Sequence, residues 1–246
     1  MRLLVVGNGR MGRLVVEHAP AYGFEVAAVL DLETNPGGAG ATAARCKGVG
    51  VAVDFSTAEA TLATAPRLAR LGVPLVIGTT GWQSREGELR AAVEEAGVGA
   101  VVAANFSLGA SVLDALVEMA GRLLKDAEPY GAYIHEAHHA AKKDAPSGTA
   151  LALRRALERS GWPRPVDVSS TRAGWMPGVH AVGFDGKAET LELVHTVRDR
   201  ATFAQGALEA ARWVVGKRGW FGMRDVLSSR GGPFESGAEG SAIGKG

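Results

Sequence analysis

One cysteine in 246 residues, Cys46, leaves no partner for an internal disulfide and no set of thiolates for a cysteine-built zinc site. Flanked by Arg45 and Lys47, it reads as a loop thiol and not as a nucleophile. No apolar run is long enough to cross a bilayer, and the first residues already form a strand-like run with no charged-then-apolar leader. Charge of one sign is also lacking. Lys and Arg exceed Asp and Glu by a single formal charge, so neither a nucleic acid nor a membrane surface is an expected partner. Internal repeats are absent. What remains is an expectation of a soluble cytoplasmic chain, 46% hydrophobic, sized for one large domain or two small ones.

The first hundred residues alternate in a regular rhythm. RLLVV (2–6) is nearly all apolar, as a strand buried on both faces of a parallel sheet must be. FEVAAVLD (24–31), VAVDFS (51–56), PLVIGTT (74–80) and GAVVAAN (99–105) repeat the pattern, with helical segments between them. This spacing predicts an α/β fold, a Rossmann-like doubly wound parallel sheet. After Asn105 the pattern changes. A long helix over about 108–126 leads to the strand-like YGAYIHEAH and the helical TALALRRALERSG. Three β-rich segments between Val166 and Arg198 then predict an α+β second domain with an open mixed sheet. A helix resumes near Thr202 and is expected to pack back on the first domain. The Gly- and Ser-rich stretch 229–246 is expected to be a disordered tail.

Gly7-Asn8-Gly9-Arg10-Met11-Gly12 fits G-x-G-x-x-G directly after the first strand and before a helix. Such glycines let a backbone approach a pyrophosphate whose charge sits on the helix N-terminus. Asp31 ends the second strand 19 positions after Gly12, where an acid binds a ribose hydroxyl. Leu32 follows it where a 2′-phosphate would call for a basic residue, which predicts NADH in preference to NADPH unless Arg10, Arg45 or Lys47 supplies the charge. Gly78-Thr79-Thr80-Gly81 and Ala103-Ala104-Asn105-Phe106-Ser107 lie at the carboxyl ends of later strands, where open α/β sheets bind ligands. Gly78, Thr79, Thr80 and Ala103 to Phe106 are therefore candidates for the nicotinamide half.

The segment IHEAHHAAKKDAPSGTA (134–150) admits two chemistries. His135-Glu136-Ala137-His138-His139 fits H-E-x-x-H, but that zinc motif works only on a helix, and the preceding YGAYI favours a strand. The other reading takes His138, His139 and Lys142 with Ser147-Gly148-Thr149, an acid/base group beside a helix N-terminus suited to a carboxylate. On a strand His138 and His139 face opposite ways and do different jobs. Asp144, Ala145 and Ser147 remain alternative N-caps for the helix. No metal is expected.

E-A-H-H-x-x-K-x-D-A-P-S-G-T-A (136–150), together with GxGRMG, DFS (54–56), GTTG (78–81) and ANFS (104–107), resembles the 4-hydroxy-tetrahydrodipicolinate reductase (dihydrodipicolinate reductase) family. The likeness continues through Arg172-x-Gly174, Pro177-Gly178-x-His180 and the His195 to Arg200 segment to about Leu227. It implies a dinucleotide-binding domain from residues 1–105 and 201–228 and a substrate-binding and oligomerisation domain over 106–200. His138 would be the acid/base and Lys142 the proton donor. His139, Gly148 and Thr149 would hold the carboxylates of a small dicarboxylate. Gly7 to Gly12, Asp31, Gly78 to Thr80 and Ala103 to Phe106 would line the cofactor. The implied reaction loses water from the hydroxylated ring and takes hydride from NAD(P)H, in lysine and diaminopimelate biosynthesis, in a homotetramer joined through the substrate-domain sheets. The first loop is one residue shorter than the family's common G-x-x-G-R-M-G form, and the loop after the second strand is short, so the adenosine-side contacts are where this chain departs. Competing readings are another small NAD(P)-dependent reductase or amino-acid dehydrogenase, a non-catalytic NAD-sensing protein, and a zinc hydrolase. None of these needs His138, Lys142 and the SGT turn together.

Overall fold

Alternate residues of the early strands enter different cores, and this divides the first half of the molecule into layers. The computed structural model describes residues 1–230. In it β1 (Arg2–Val6) sends Leu3 and Val5 to one side of a sheet and Leu4 and Val6 to the other. The same alternation holds in β3 (Val49–Asp54), where Val51 and Val53 oppose Ala52. With β2 (Glu25–Leu30), β4 (Leu75–Ile77) and β5 (Gly99–Val102), these strands pair in parallel. Helices cover both faces. On one side α1 (Arg10–His18) packs against the sheet; α3 (Ala58–Arg70) and α4 (Glu86–Glu95) cover the other, and α2 (Ala43–Cys46) is a single turn that buries Cys46.

The chain then leaves this sheet. Helix α5 (Leu108–Leu124), strand β6 (Gly131–His138), helix α6 (Gly148–Ser160) and strands β7 (Val166–Arg172), β8 (Val179–Asp185) and β9 (Thr190–Thr196) follow in order. The strands make a second sheet in the order β7-β6-β8-β9, parallel only between β6 and β7. Ile134, Val182 and Phe184 face α5 and α6 and form a third core with Val117, Leu153 and Leu157. On the opposite face Tyr133 lies over Gly183, and His135 bonds Ser169 at 2.9 Å. Among the described residues no helix covers that face, and Val194 is 56% exposed there.

Helix α7 (Ala201–Val214) returns to the first sheet. Its buried side includes Ala204, Gly206, Ala207, Ala210 and Ala211, small enough to let the helix lie close to its neighbours, beside the larger Leu208 and Val214. The helix stops at Val214, and β10 (Gly219–Phe221) then adds a sixth parallel strand beside β5. The sheet order becomes β10-β5-β4-β3-β1-β2. The order reverses between β1 and β3, and a crevice at such a switch point, outside the carboxyl ends of the strands, is where these sheets bind ligands. A last helix, α8 (Met223–Ser228), packs on α5. Buried Glu118 of α5 accepts bonds from Arg159 of α6 at 2.9 Å and Arg224 of α8 at 2.5 Å, and pairs with Arg122. Burial alone would raise its pKa, but these guanidiniums hold it at about 2. The expected tail divides: Ser229 and Arg230 close the final turn, with Arg230 on Glu209 at 2.8 Å, and 231–246 lie outside the described residues.

A Cβ on Gly206 would sit 1.7 Å from the carbonyl oxygen of Phe106, where the chain crosses between the sheets. We expect Gly206→Ala to cost about 1–3 kcal/mol through overpacking. Urea denaturation would read this as a lower midpoint; an unchanged midpoint would contradict the packing.

Candidate active site

The segment carrying the two possible chemistries is a strand up to His138. His135 and His139 are four residues apart on extended chain, roughly 13 Å at 3.3 Å per residue, and do not form the compact pair a helical zinc motif needs. What the strand does bring together is Glu136 and His138, two residues apart and so on one face. Glu136 is fully buried, and its Oε2 bonds Nδ1 of His138. Its Oε1 accepts from Arg172 of β7 at 2.6 Å and from the Ser147 N–H at 3.3 Å. Burial would raise the Glu136 pKa, but the Arg172, Ser170 and His138 hydrogen bonds bring it down to about 2. Burial lowers the His138 pKa, and Glu136 opposes that shift.

The strand ends at His138, so His139 lies beyond the last strand residue. Both histidines line one crevice of about 1520 Å³, although a continued strand would have sent them to opposite faces. Lys142, on the turn that follows, donates to both Asp144 oxygens at 2.8 and 2.9 Å. Ser147 is the N-cap left open by the sequence. Its hydroxyl accepts from the Ala150 N–H at 3.2 Å and contacts Nε2 of His180 at 3.0 Å. Gly148 and Thr149 form the first turn of α6, whose N–H groups have no intrahelical acceptor, and both line the crevice.

The cofactor candidates separate into three groups. Arg10, Met11, Gly78, Thr80 and Ala103 to Phe106 line the same crevice as His138. Gly7, Asn8, Gly9, Gly12 and Asp31 lie outside it, around the end of β1 and the start of α1 and after β2. There Gly7 holds φ +100°, Gly12 passes so close that a Cβ would meet the Gly7 oxygen, and a Cβ on Gly9 would enter open space before the α1 N-terminus. Glycine at Gly9 leaves room for a phosphate on that terminus. Asp31 accepts from the Thr34 N–H at 2.9 Å and hydroxyl at 2.8 Å and from the Glu33 N–H at 3.2 Å, which lower its pKa. Thr79 turns away from the crevice. Its hydroxyl bonds buried Asp54 at 3.0 Å and accepts from the Ser56 N–H at 2.9 Å, holding the DFS and GTTG loops together.

Several crevice residues were given no role by the sequence, although most of them fall in stretches that carry the family likeness. Phe55 covers Gly78 and meets Phe106 edge-on at 5.9 Å. His180 packs edge-on against His138 at 5.0 Å and pairs across the strands with His195. Burial lowers the pKa of both, that of His180 to about 4. Arg155, Arg198 and Arg200 also line the crevice and form no ion pair among the described residues. The two halves touch directly where Asn105 Nδ2 donates to Thr149 Oγ1 at 3.1 Å. Ligand atoms of Glu136, His138 and His180 lie within 4.8 Å of one another. We read Glu136 and His138 as a hydrogen-bonded pair to which His180 is joined through Ser147, because Arg172 already neutralises the carboxylate and Glu136 and His138 engage each other. Cys46 is buried away from this crevice, and burial pushes its thiol up.

Comparison with known proteins bears on the family of the chain and on its fold. Residues 1–106 match the family model described as dihydrodipicolinate reductase, N-terminus, and 109–227 the corresponding C-terminus. The chain is 39% identical over 249 residues to a 4-hydroxy-tetrahydrodipicolinate reductase of Methanoregula boonei, covering 89% of this chain and 94% of that protein. It is 38% identical over 265 residues to the enzyme of that name from Thiobacillus denitrificans, covering 92% and 98%. In fold it is similar to a dipicolinate-bound dihydrodipicolinate reductase from Paenisporosarcina sp. TG-14, with TM-score 0.77, 22% identity, and 92% and 99% of the two chains covered. The C. glutamicum DAP dehydrogenase in complex with DAP is a more distant fold match, at TM-score 0.59 and 14% identity over 96% of each chain.

Arg172→Ala would remove the guanidinium from the buried carboxylate of Glu136, and breaking a buried pair in this way typically costs about 3–5 kcal/mol. Because the Glu136 pKa is depressed to about 2, its contribution is present above the ordinary value of 4.5 and is lost as pH falls toward 2. We therefore expect the destabilisation by Arg172→Ala to be largest near pH 7 and to shrink below about pH 4.5. Denaturation midpoints measured across that range would test it; a pH-independent loss would contradict the charge assignment.

Proposed function

Because the chain belongs to the dihydrodipicolinate reductase family, we propose that it reduces 4-hydroxy-tetrahydrodipicolinate to tetrahydrodipicolinate with NAD(P)H and loss of water, in lysine and diaminopimelate biosynthesis. The observation that carries this reading is one crevice in which His138, Lys142 and the α6 N-terminus face the loops of the nucleotide-binding sheet, joined through Asn105 and Thr149. The protein is an NAD(P)H-dependent oxidoreductase.

Bound NAD(P)H supplies the hydride, and the chain binds, orients and protonates. A small dicarboxylate needs cations and oriented donors. The Gly148 and Thr149 N–H groups and His139 serve one carboxylate end, and Arg155, Arg198 and Arg200 raise the local positive potential. Hydride addition to a conjugated imine builds electron density on the far carbon and nitrogen, and His138 or Lys142 quenches it by proton donation, at a gain of roughly 10²–10⁴ in rate. Lys142 reaches the substrate by leaving Asp144. Residues 1–105 with 201–228 hold the cofactor and 106–200 the substrate, with hinges near 105–108 and 200–202 where the chain crosses between the sheets.

The finer readings follow from particular residues. NADH is the preferred nucleotide, since Leu32 follows Asp31 and Arg45 is tied to the Thr34 carbonyl at 2.8 Å. Gly7 to Gly12 and Asp31 take the adenosine half; Gly78, Thr80 and Ala103 to Phe106 take the nicotinamide half, with Thr79 acting from behind through Asp54. The helix-free face of the second sheet, with exposed Val194, joins four copies into a cytoplasmic homotetramer. No metal takes part.

A single assay tests the reading: NADH oxidation with the enzymatically generated hydroxylated precursor, with and without a chelator. Turnover unaffected by chelator, and a lower KM for NADH than for NADPH, are expected. No turnover with either nucleotide would overturn the reaction, and loss of activity with chelator would restore a metal. His138→Ala and Lys142→Ala should each lower kcat roughly 10²–10⁴-fold while NADH affinity measured by fluorescence stays near wild type.

A further inference from the structure

We propose that Glu136 is a positioning residue for this reaction: its buried carboxylate keeps the His138 proton on Nδ1, directs Nε2 to the crevice, and fixes the ring to the α6 N-terminus. The proposal rests on the reading of His138 as the acid/base group, and it adds the residue through which the chain controls that group.

The argument is geometric. Glu136 and His138 project from the same face of β6, and Oε2 contacts Nδ1 directly. Oε1 is occupied by Arg172 and the Ser147 N–H, so the carboxylate is a hydrogen-bond acceptor on both oxygens. An ionised carboxylate has no proton to give, so Nδ1 must be the donor. In neutral His138, Nε2 is then the unprotonated nitrogen, and in the imidazolium it is Nε2–H that is available for transfer. Nε2 lies against the turn that lines the crevice: a Cβ on Gly178, which holds φ +124°, would come within 3.3 Å of it. Arg172 ties the network further, donating to the Asp144 carbonyl at 2.5 Å, so the turn carrying Lys142 shares an anchor with the histidine.

The charges around His138 point the same way. Arg172 faces it from β7, His180 from β8, and Lys142 from the turn, where Asp144 is occupied by Lys142. His195 stands one strand further, opposite His180. Burial and the positive charges of Lys142 and Arg172 disfavour the imidazolium, and Glu136 is the acid that opposes them. Without its charge the histidine would hold a proton less readily, so the limb of the pH–rate profile belonging to His138 would move to lower pH.

The test compares Glu136→Gln, Glu136→Asp and His138→Ala in the same steady-state assay with NADH. Glu136→Gln should lower kcat by at least roughly 10-fold and at most roughly 10⁴-fold, the range found when the partner orienting a functional histidine is removed. Its His138 limb should shift to lower pH, with KM for NADH within about twofold of wild type. Glu136→Asp keeps the charge, so its limb should stay near the wild-type position even where kcat is reduced. If His138→Ala retains near wild-type kcat, the acid/base reading itself fails. If His138→Ala is impaired but Glu136→Gln keeps wild-type kcat and pH profile, the positioning role alone is overturned. A measurement on the unmodified protein covers the case in which the variants do not fold. Nitrogen-15 NMR of labelled histidines should find His138 as the Nδ1–H tautomer when neutral, and an Nε2–H tautomer would reject the proposal.

Discussion

Burying an ionised carboxylate costs several kcal/mol unless donors and opposite charge surround it. At Glu136 that compensation comes from three separate pieces of chain: His138 on the same strand, Arg172 on β7, and the Ser147 N–H at the start of α6. None of the three is an ornament to a site formed by other forces. The strand pair, the turn and the helix N-terminus must all be in place before the carboxylate is satisfied, and once it is, His138, Lys142 and the Gly148–Thr149 donors occupy one region. Packing of the second sheet against α6 and the placing of these side chains therefore share one set of bonds.

The cofactor half uses a similar device with a different electrostatic outcome. Asp54, at the end of β3, is buried behind the crevice wall and accepts from the Ser56 N–H at 2.9 Å, the Ser56 hydroxyl at 2.6 Å and Thr79 at 3.0 Å. It joins two loops, as Glu136 joins two strands and a turn. Its partners are neutral, however, and desolvation raises its pKa in spite of the hydrogen bonds. The contrast follows from the presence of Arg172 beside one carboxylate and the lack of a cation beside the other. Glu136 acts through charge, so it can tune a neighbouring histidine; Asp54 acts through hydrogen-bond geometry and shapes a wall.

Much of this was legible in the chain. Apolar runs bounded by Gly and polar turns marked the first five strands, because a strand buried on both faces has little freedom in composition. The DAPSGTA turn was legible because its donors are contiguous. β10 was not: three residues, GWF, are too few to show a period, and their pairing with β5 is set more than a hundred residues away. Thr79 stood beside Thr80 in a loop with no signal for which side chain would turn inward. The role of Glu136 was hidden for a different reason. Its proximity to His138 is local, but its charge is set by Arg172, 36 residues on, and the His138 ring is packed by His180. A linear motif records which residues are present and not which of them share a buried oxygen. The helical metal motif that His135 to His139 imitated failed on backbone geometry alone, since the same letters on a strand place their histidines too far apart.

The bond between Asn105 and Thr149 shows how the two halves constrain one another at the level of a single proton. Asn105 Nδ2 is a donor, so Thr149 Oγ1 is the acceptor, and its own hydroxyl proton is left to point elsewhere. The amide donor restricts the directions open to that proton and leaves the hydroxyl free to donate to another group. The hydroxyl stands at the first turn of α6 beside N–H groups that have no intrahelical acceptor, so the turn offers side-chain and backbone donors in one place. Such a turn is chemically suited to an anion, because its donors converge on one place. The amide that sets this arrangement belongs to the loop after β5, on the nucleotide-binding side. Under the proposed reading, a side chain at the substrate end of the crevice is thus held by a residue of the nicotinamide loops.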